Sequence, residues 1–305
     1  MRGIARRLGR DPATVCREIN RNGGVVHYRA TRAEEAAWDR AKRPQRYVLH
    51  RRSELAQLVT RKLKLRWSPQ QIAGWLKQHF PHDVDMNVSH ETIYRTLFVQ
   101  ARGALKKELT AYLRRRTLLR RRKNAVSTNT RFHLKDAVSI SQRPAEAEDR
   151  AVPGHWEGDL LFGGLHSHIA TLVERRSRYA MLVKVQGKDS ESVVRALSEH
   201  VQRLPQGLMS TLTWDRGSEM ALHQQFSIAT DVKVYFCDPS SPWQRGTNEN
   251  TNGLLRQYFP KGKSLAHVTQ EQLDQVAAEL NGRPRMTLGF KTPAEVLFKT
   301  VALTG

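Results

Sequence analysis

The chain has 305 residues and carries 51 Lys and Arg against 29 Asp and Glu, which gives a formal net charge of +22 at pH 7. This length exceeds that of one ordinary domain and predicts two or three, while no apolar run approaches the roughly 20 residues that a membrane-spanning helix needs. The two cysteines, Cys16 and Cys237, are too few for a disulfide framework, so the composition predicts a cytoplasmic protein.

The positive charge is concentrated in the first half of the chain. Residues 1–140 contain 32 Lys and Arg against 11 Asp and Glu, whereas residues 141–305 contain 19 against 18. So strong a local excess indicates a polyanion partner, and nucleic acid is the simplest one. A membrane surface is the rival partner, but this half lacks a long amphipathic helix ending in Trp or Phe. We therefore predict a protein that binds DNA, associates with the nucleoid and has no membrane contact.

Residues 1–45 carry the pattern of a helix-turn-helix. Gly9 ends a first short helix, Asp11 is placed to cap a second, and Pro12 takes the first helical position, where proline is favoured. Two short helices joined by a glycine turn can place the second helix in the DNA major groove. The side chains predicted to face the groove are Thr14, Arg17 and Arg21. The alternative is an ordinary helical hairpin with solvated arginines, and the surrounding charge favours DNA binding.

A second helical and basic region is predicted over residues 46–123. Ser68 begins a capping box with a proline at the first helical position, and Ser89 is placed to cap a following helix. This arrangement is helix-turn-helix-like with a long turn, and both DNA reading and a purely structural role remain open for it. Residues 105–123 are helical by pattern and contain two arginine runs, which favour phosphate contacts over simple solvation. Residues 124–152 are predicted to be a linker.

From residue 153 onward the pattern changes to strands. Three β-rich segments at 156–162, 168–174 and 179–185 predict an antiparallel start. They are followed by helix, strand, helix, strand and helix, which is the order of a ribonuclease-H-like sheet. We therefore predict an α/β core over residues 153–305, with a mixed five-stranded sheet flanked by helices and preceded by an all-α DNA-binding region.

Three acids occur in contexts that suit a shared metal site. Asp159 lies on the first predicted strand, Asp215 follows a short buried strand, and Glu249 lies in the first turns of a helix. A single Glu at a helix start is by default a favourable partner of the helix dipole. Three acids converging at one end of a sheet could instead hold two divalent ions about 4 Å apart, the arrangement used for phosphodiester cleavage. Glu157 shares the strand face of Asp159 and is an alternative ligand.

The sequence around these acids resembles the three catalytic motifs of a known family. The segments are Gly154-His155-Trp156-Glu157-Gly158-Asp159-Leu160, Thr213-Trp214-Asp215-Arg216-Gly217 and Ser241-Pro242-Trp243-Gln244-Arg245-Gly246-Thr247-Asn248-Glu249-Asn250. They are similar to those of the IS-thirty family of bacterial insertion-sequence transposases. The similarity covers nearly the whole chain, including Leu280-Asn281-Gly282-Arg283-Pro284-Arg285 in the C-terminal signature. Members of the family usually carry further residues before Ile4, so N-terminal truncation and an inactive remnant stay open.

The resemblance implies an integrase-like core in which Asp159, Asp215 and Glu249 form the catalytic triad and hold two Mg²⁺ ions, with Mn²⁺ as a substitute. It implies that the protein binds the terminal inverted repeats of its element, cleaves there and joins the 3′ end to double-stranded target DNA. Because two DNA ends must be brought together, we expect a homo-oligomer on DNA. A sequence-specific DNA-binding regulator and a ribonuclease-H-like nuclease without transposition are the alternatives.

Further DNA contacts are predicted on the helix that carries Glu249. Arg256 lies seven residues on, two helical turns along the same face, and the resemblance implies a basic residue there that contacts DNA near the cut. A solvated arginine is the alternative reading of Arg256. Asn248 and Asn252 are predicted either to touch DNA or to cap the helix. The remaining predicted DNA contacts are Arg245 and Lys261.

Overall fold

A computed structural model describes residues 1–41, 48–98, 107–114, 136–149, 152–205, 207–239 and 241–304. The chain divides into two compact units, Met1–Arg51 and Arg52–Gly305. Residues 115–135 lie outside the described residues, and with them most of the two predicted arginine runs and much of the predicted linker. None of the helices in the described ranges is long and apolar enough to cross a bilayer.

The regular secondary structure described in the first unit is all helical. Its elements are α1 (Arg2–Leu8), α2 (Pro12–Arg21), α3 (Gly24–His27), α4 (Ala30–Ala41) and α5 (Val48–Arg51). Gly9 ends α1 in the left-handed region with φ 60°, where the absence of Cβ removes the steric penalty. Asp11 Oδ1 accepts a hydrogen bond of 2.7 Å from the backbone N–H of Ala13 and so begins α2. The small core contains Ala5, Val15 and Ile19, with Tyr28 packed against it.

The second unit opens with three helices. They are α6 (Ser53–Lys64), α7 (Pro69–His79) and α8 (His90–Phe98). The predicted capping box is present, because Ser68 Oγ accepts from Gln71 N at 3.2 Å while Gln71 Oε1 accepts from Ser68 N at 2.8 Å. The prediction of an α-helix over residues 105–123 is wrong for the part that the structure describes, residues 107–114, because Lys107–Tyr112 forms 3₁₀ turns. These turns pack on α6 and α8 and bury Leu109 and Leu113 without the continuous helix that the leucine spacing suggested.

A five-stranded mixed sheet follows the short helix α9 (Glu146–Asp149). The strands are β1 (His155–Phe162), β2 (His168–Glu174), β3 (Ala180–Val185), β4 (Thr211–Trp214) and β5 (Lys233–Phe236). Their spatial order is β3-β2-β1-β4-β5, with β1 antiparallel to β2, β2 antiparallel to β3, and β4 parallel to both β1 and β5. The predicted ribonuclease-H-like sheet is therefore confirmed.

Helices cover both faces of this sheet. On one face α10 (Ser190–Val201) and α11 (His223–Thr230) pack through Leu197 and Phe226 against Leu160 of β1. On the other face α12 (Gly246–Leu255) and α13 (Gln270–Asn281) pack through Leu255 and Leu280 against Leu161. A final helix, α14 (Pro293–Thr304), ends the described chain. Because side chains alternate along a strand, Asp159 lies on the same face of β1 as Leu161, which is the face covered by α12.

The close approach of β1 and β4 requires a glycine at position 158. A Cβ atom there would overlap the six-membered ring of Trp214, which is fully buried. The parallel strands β1 and β4 pair Glu157 with Thr213. Two residues further along each strand direction, the same register brings Asp215 beside Asp159. The sheet itself thus places two of the three predicted acids next to each other.

Candidate active site

The helix α12 presents three adjacent faces, because residues three and seven apart lie on one side of a helix. The sheet face consists of Asn248, Thr251 and Leu255, all buried. The acid face consists of Glu249 and Asn252 and is continued by Arg256 in the turn after the helix. The arginine face consists of Asn250 and Gly253 and is continued by Gln257 in the same turn. Their contacts differ in kind: the sheet face packs on the core, the acid face includes the residue that contacts Asp159, and the arginine face meets basic side chains.

Arg245 links the first two predicted acids. Its Nη1 lies 3.2 Å from Asp159 Oδ1, and its Nη2 lies 3.0 Å from Asp215 Oδ2. The same Nη1 donates to the backbone oxygen of Gly158 at 2.9 Å. One guanidinium thus bridges two carboxylates that would otherwise repel each other. The predicted role of Arg245 as a DNA contact stays a prediction, because this arrangement does not test it.

Asp159 is held by the acid face of α12 as well. Asn252 Nδ2 donates to Asp159 Oδ2 at 2.9 Å, and the backbone N–H of Leu160 donates to Oδ1 at 2.9 Å. Burial raises the pKa of Asp159, while the positive charge of Arg245 opposes that rise. The amide oxygen of Asn252 is buried and accepts no hydrogen bond from the described residues. An oxygen in this state, on the amide whose nitrogen donates to Asp159, is suited to a hard cation.

Glu249 is placed near this pair but is not joined to it. Its side chain is exposed, and it lies one helical turn before Asn252 on the acid face. Within the described ranges, no group of three or more His, Cys, Asp or Glu side chains is arranged to hold a metal ion. The structure therefore brings Asp159 and Asp215 together and leaves Glu249 on the helix that covers them.

Asn248 holds the beginning of α12 against the sheet. Its fully buried side chain donates from Nδ2 to Glu157 O at 3.0 Å and to Thr171 O at 3.2 Å, and its Oδ1 accepts from Thr171 Oγ1 at 2.9 Å. Its backbone N–H donates to Glu157 Oε2 at 3.0 Å. These contacts occupy the whole amide, so the prediction that Asn248 touches DNA is corrected to a structural role.

Glu157 likewise belongs to the framework of the site. Arg175 Nη1 lies 2.8 Å from Glu157 Oε1, and both side chains are buried. Since Asn248 holds the other carboxylate oxygen, Glu157 is an anchor for α12, and the alternative that it ligates metal is not supported.

Sequence reasoning missed Glu219 beside Asp215. Trp214 Nε1 donates to Glu219 Oε1 at 3.3 Å, and burial followed by the negative charge of Asp215 raises the pKa of Glu219. The signal available in the sequence was an acid four residues after Asp215. That signal is weak, because the local segment is not one regular helix.

The other predicted DNA contacts lie at the surface. Thr14, Arg17 and Arg21 are exposed on α2, as a groove-facing surface requires, and Lys261 is exposed after α12. Arg256 is partly exposed and donates from Nη1 to Phe162 O at 2.9 Å. These positions are compatible with DNA contact, which stays a prediction for each of them.

Two family models match the chain. A model described as "Integrase core domain" matches residues 149–242, which contain the sheet, Asp159 and Asp215. A second, described as "Homeodomain-like domain", matches residues 14–97. Together with the fold, these matches define the class: an integrase-core protein with a helical, homeodomain-like segment before the core.

The particular family follows from full-length relatives. The transposase InsI for insertion sequence element IS30A of Escherichia coli (strain K12) is 49% identical over 100% of this chain and 80% of that protein. The transposase for element IS1086 of Cupriavidus metallidurans is 46% identical over 99% of this chain and 90% of that protein. The transposase for element IS4351 of Bacteroides fragilis is 35% identical over 96% and 88%. The chain belongs to the IS30 (IS-thirty) family of insertion-sequence transposases.

Among solved structures, the catalytic core domain of BIV integrase aligns with a TM-score of 0.39 and 15% identity, over 50% of this chain and 99% of that chain. The family assignment rests on the full-length sequence identities and not on this alignment.

Proposed function

We propose that this transposase binds the terminal inverted repeats of an insertion sequence, cleaves a DNA strand there and joins the freed 3′ end to target DNA. The observation that carries the proposal is the pair of carboxylates, Asp159 and Asp215, held together by Arg245 under the helix that bears Glu249. A regulator that only binds DNA would have no use for two acids held 3.0–3.2 Å from one largely covered guanidinium.

The donor set at this point fits divalent metal. Asp159 and Asp215 offer hard carboxylate oxygens, a cationic group already lies between them, and the unpartnered Asn252 oxygen adds a further acceptor. We propose that Asp159, Asp215 and Glu249 hold two Mg²⁺ ions, with Mn²⁺ as a substitute. When bound, such ions supply an activated nucleophile and neutralise charge on the departing oxygen.

The residues of the chain position the reacting groups. We propose in-line attack on a phosphodiester, first by water and then by a 3′ hydroxyl, without a covalent enzyme intermediate. Asn248 fixes the first turn of α12, so that Glu249 and Asn252 approach the acid pair from a defined direction. Arg245, which is paired with both carboxylates here, would be released to contact a DNA phosphate once a cation takes over that role.

The exposed basic face of α2 supports the proposed partner. Thr14, Arg17 and Arg21 would read terminal-repeat DNA in the major groove, while Lys261 and Arg256 would contact DNA beside the cut. Because both element ends must react in one event, we propose a homo-oligomer on DNA. We further propose that it acts in the cytoplasm at the nucleoid, where its substrate lies.

The test uses terminal DNA labelled at one end, incubated with the full chain with and without Mg²⁺. Asp159→Asn, Asp215→Asn and Glu249→Gln should each abolish cleavage and spare binding, whereas Glu199→Gln, on α10 across the sheet, should leave both unchanged. Full cleavage by any of the three site variants would remove that residue from the triad. Binding without metal-dependent cleavage by the unaltered chain would favour a regulator or an inactive transposase. Cutting of branched or hybrid duplexes without regard to the repeats would identify a ribonuclease-H-like nuclease.

A further inference from the structure

The arginine face of α12 is covered by basic side chains from segments far away in the sequence. Arg114 Nη1 lies 3.4 Å from Asn250 Oδ1, and the next turn carries Gly253, where a Cβ atom would collide with the Arg114 guanidinium. Arg114 therefore crosses α12 immediately beside Glu249, at a point where the helix has no side chain to keep it away. The residues preceding the integrase-like sheet thus contribute a positive charge to the edge of the candidate active site.

A second approach occurs at the end of the same face. Arg66 Nη1 donates to Gln257 O at 3.4 Å, and its guanidinium stacks 3.9 Å above the ring of Tyr258. Arg283 Nη1 also contacts this residue, donating to Gln257 Oε1 at 3.0 Å. Arg66 has φ 60°, a backbone conformation that is uncommon for a residue with a Cβ, so this segment is held in place by its surroundings.

Two further arginines join the three already described. Arg178 Nη1 donates to Thr247 Oγ1 of α12, and Arg285 interacts electrostatically with Arg283, Arg178 and Arg114. We call the five the arginine cluster: Arg66, Arg114, Arg178, Arg283 and Arg285. Burial, followed by the positive charges of Arg283, Arg178 and Arg114, lowers the pKa of Arg285 to about 10. In the described part of the chain, no carboxylate forms an ion pair with Arg66, Arg283 or Arg285. The buried Nε atoms of Arg283 and Arg285 have no hydrogen-bond partner there.

The positive charges of Arg66, Arg283 and Arg285, which have no ion pair among the described residues, are unfavourable in the protein alone and favourable once an anion is bound. The arginine face runs from Asn250 to Gln257, about 10 Å at 1.5 Å per residue, which spans about three nucleotide steps of one strand. Guanidinium groups match phosphate oxygens in geometry as well as in charge. Arg114 is exposed, and Arg66, Arg178 and Arg285 are partly exposed, so the outer members can reach a ligand while Arg283 supports them from beneath.

We propose that the arginine cluster is a phosphate-binding site for one DNA strand, which passes along α12 beside Glu249. This inference rests on the proposed function for its ligand and adds a site to it. The strand would be held on the arginine face, next to the acid face, so that the same helix both holds the backbone and delivers the acid. Two of the phosphate contacts then come from the region before the sheet, which couples that region to the active site.

The test compares two double variants that each remove two positive charges. Arg66→Gln with Arg114→Gln alters the cluster, while Arg195→Gln with Arg203→Gln alters exposed arginines on and just after α10, on the other face of the sheet. Binding of a terminal-repeat duplex by the full chain is measured by fluorescence anisotropy over a series of salt concentrations. The slope of log K against log salt should become shallower by about 2 for the cluster variant and stay unchanged for the control. Equal slopes for the two variants would overturn the site.

Two further measurements separate the possible failures. Circular dichroism melting shows whether the double variant is folded. If it is unfolded, Arg114→Gln alone, at an exposed position, should make the slope of log K against log salt shallower by about 1. Cleavage of the terminal duplex by the unaltered chain is recorded alongside. If the unaltered chain cleaves the duplex but the Arg66→Gln, Arg114→Gln variant shows no change in salt slope, the phosphate-binding site is rejected and the transposase function is kept. If the slope of that variant changes but the unaltered chain does not cleave, the phosphate-binding site is kept and the transposase function is rejected.

Discussion

Among single side chains, Asn248 carries the attachment of α12 to the sheet. Three hydrogen bonds from its amide join Glu157 and Thr171, on the adjacent strands β1 and β2, to the helix that bears Glu249. An asparagine can do this because its amide offers donors and an acceptor together. The neighbouring amide Asn250 is exposed, although the two residues look alike in the sequence. Their different roles follow from a rotation of about 200° around the helix axis.

Asn248→Ala should therefore destabilise the protein while Asn250→Ala should not. Truncation leaves buried partners of the amide without hydrogen bonds, which costs on the order of 2–3 kcal/mol. Thermal or urea unfolding measures this loss, and the exposed control should change the free energy of unfolding by less than about 0.5 kcal/mol. Equal effects of the two substitutions would show that Asn248 does not anchor the helix.

Arg245→Gln tests whether the guanidinium holds the acid pair together. Without divalent metal, the variant leaves Asp159 and Asp215 facing each other without the cation that lies 3.2 and 3.0 Å from them in the unaltered chain. We expect a lower melting temperature in the presence of a chelator, because uncompensated charges repel. Added Mg²⁺ should raise the melting temperature of this variant more than that of the unaltered chain, since the metal no longer competes with an arginine.

The matched control for that experiment is Arg256→Gln, which removes an arginine from the same helix without touching the acids. Its response to Mg²⁺ should equal that of the unaltered chain. An unchanged melting temperature for Arg245→Gln in chelator would contradict the role given to Arg245.

At the scale of elements, the start of β1 is sensitive to protonation. His155 is buried, and its Nδ1 lies 2.8 Å from Thr211 Oγ1 on β4. Burial lowers the pKa of His155 below its usual 6.5, although the nearby Glu146 partly opposes this. The unfolded chain therefore takes up the proton first as the pH falls. The contribution of His155 to stability is fully present above pH 6.5 and is lost as the pH falls through the folded-state pKa.

His155→Asn should weaken the fall in melting temperature below pH 6.5. Asparagine keeps a polar group near Thr211 but has no titrating imidazole. The control is His166→Asn, because His166 is exposed and adopts φ 52°, a conformation that asparagine tolerates. Burial also lowers the pKa of His168 and His200, so some pH dependence should remain. A melting profile for His155→Asn identical to that of the unaltered chain would contradict the assignment.

The elements that sequence predicts well are those specified by neighbouring residues. Asp11 caps α2 through a residue two positions away, and Ser68 and Gln71 form their box within one turn. The alternation of β1 likewise places Asp159 without any knowledge of the rest of the chain. Contacts between distant segments could not be predicted in this way: Arg114 meets Asn250 across 136 positions, and Arg66 meets Gln257 across 191. Arginines are usually solvated, so nothing local marks these two as different.

The whole molecule combines a strongly basic half with a nearly neutral one. Residues 1–140 carry 32 Lys and Arg against 11 Asp and Glu, while residues 141–305, which contain the five-stranded sheet, carry 19 against 18. We propose that residues 1–45 and 46–123 bind DNA, that residues 124–152 link them to the core, and that residues 153–305 carry out catalysis. Charge of this kind attracts any DNA, so the proposed recognition of terminal repeats would require base contacts.

Affinity of the full chain for duplex DNA of unrelated sequence should fall steeply with salt. Displacement of counterions by 6–10 phosphate contacts predicts a loss of about 10³–10⁵ in affinity between about 50 and 200 mM salt. Fluorescence anisotropy measures the slope, and sucrose at equal osmolality serves as an uncharged control that should leave affinity unchanged. A slope close to zero would show that the basic half does not bind the DNA backbone.

The order of segments along the chain has a consequence for synthesis and folding. The groups around Asp159 come from positions as far apart as 93 residues, and α12 supplies the last of them. A nascent chain that has not yet reached Arg245 already contains α1 and α2 with their own small core. If α2 reads the terminal repeats as proposed, such an unfinished product would occupy the DNA ends without the acids needed to cut them. On that proposal, premature termination of translation would yield a competitor of the full-length protein and so limit how often its element moves.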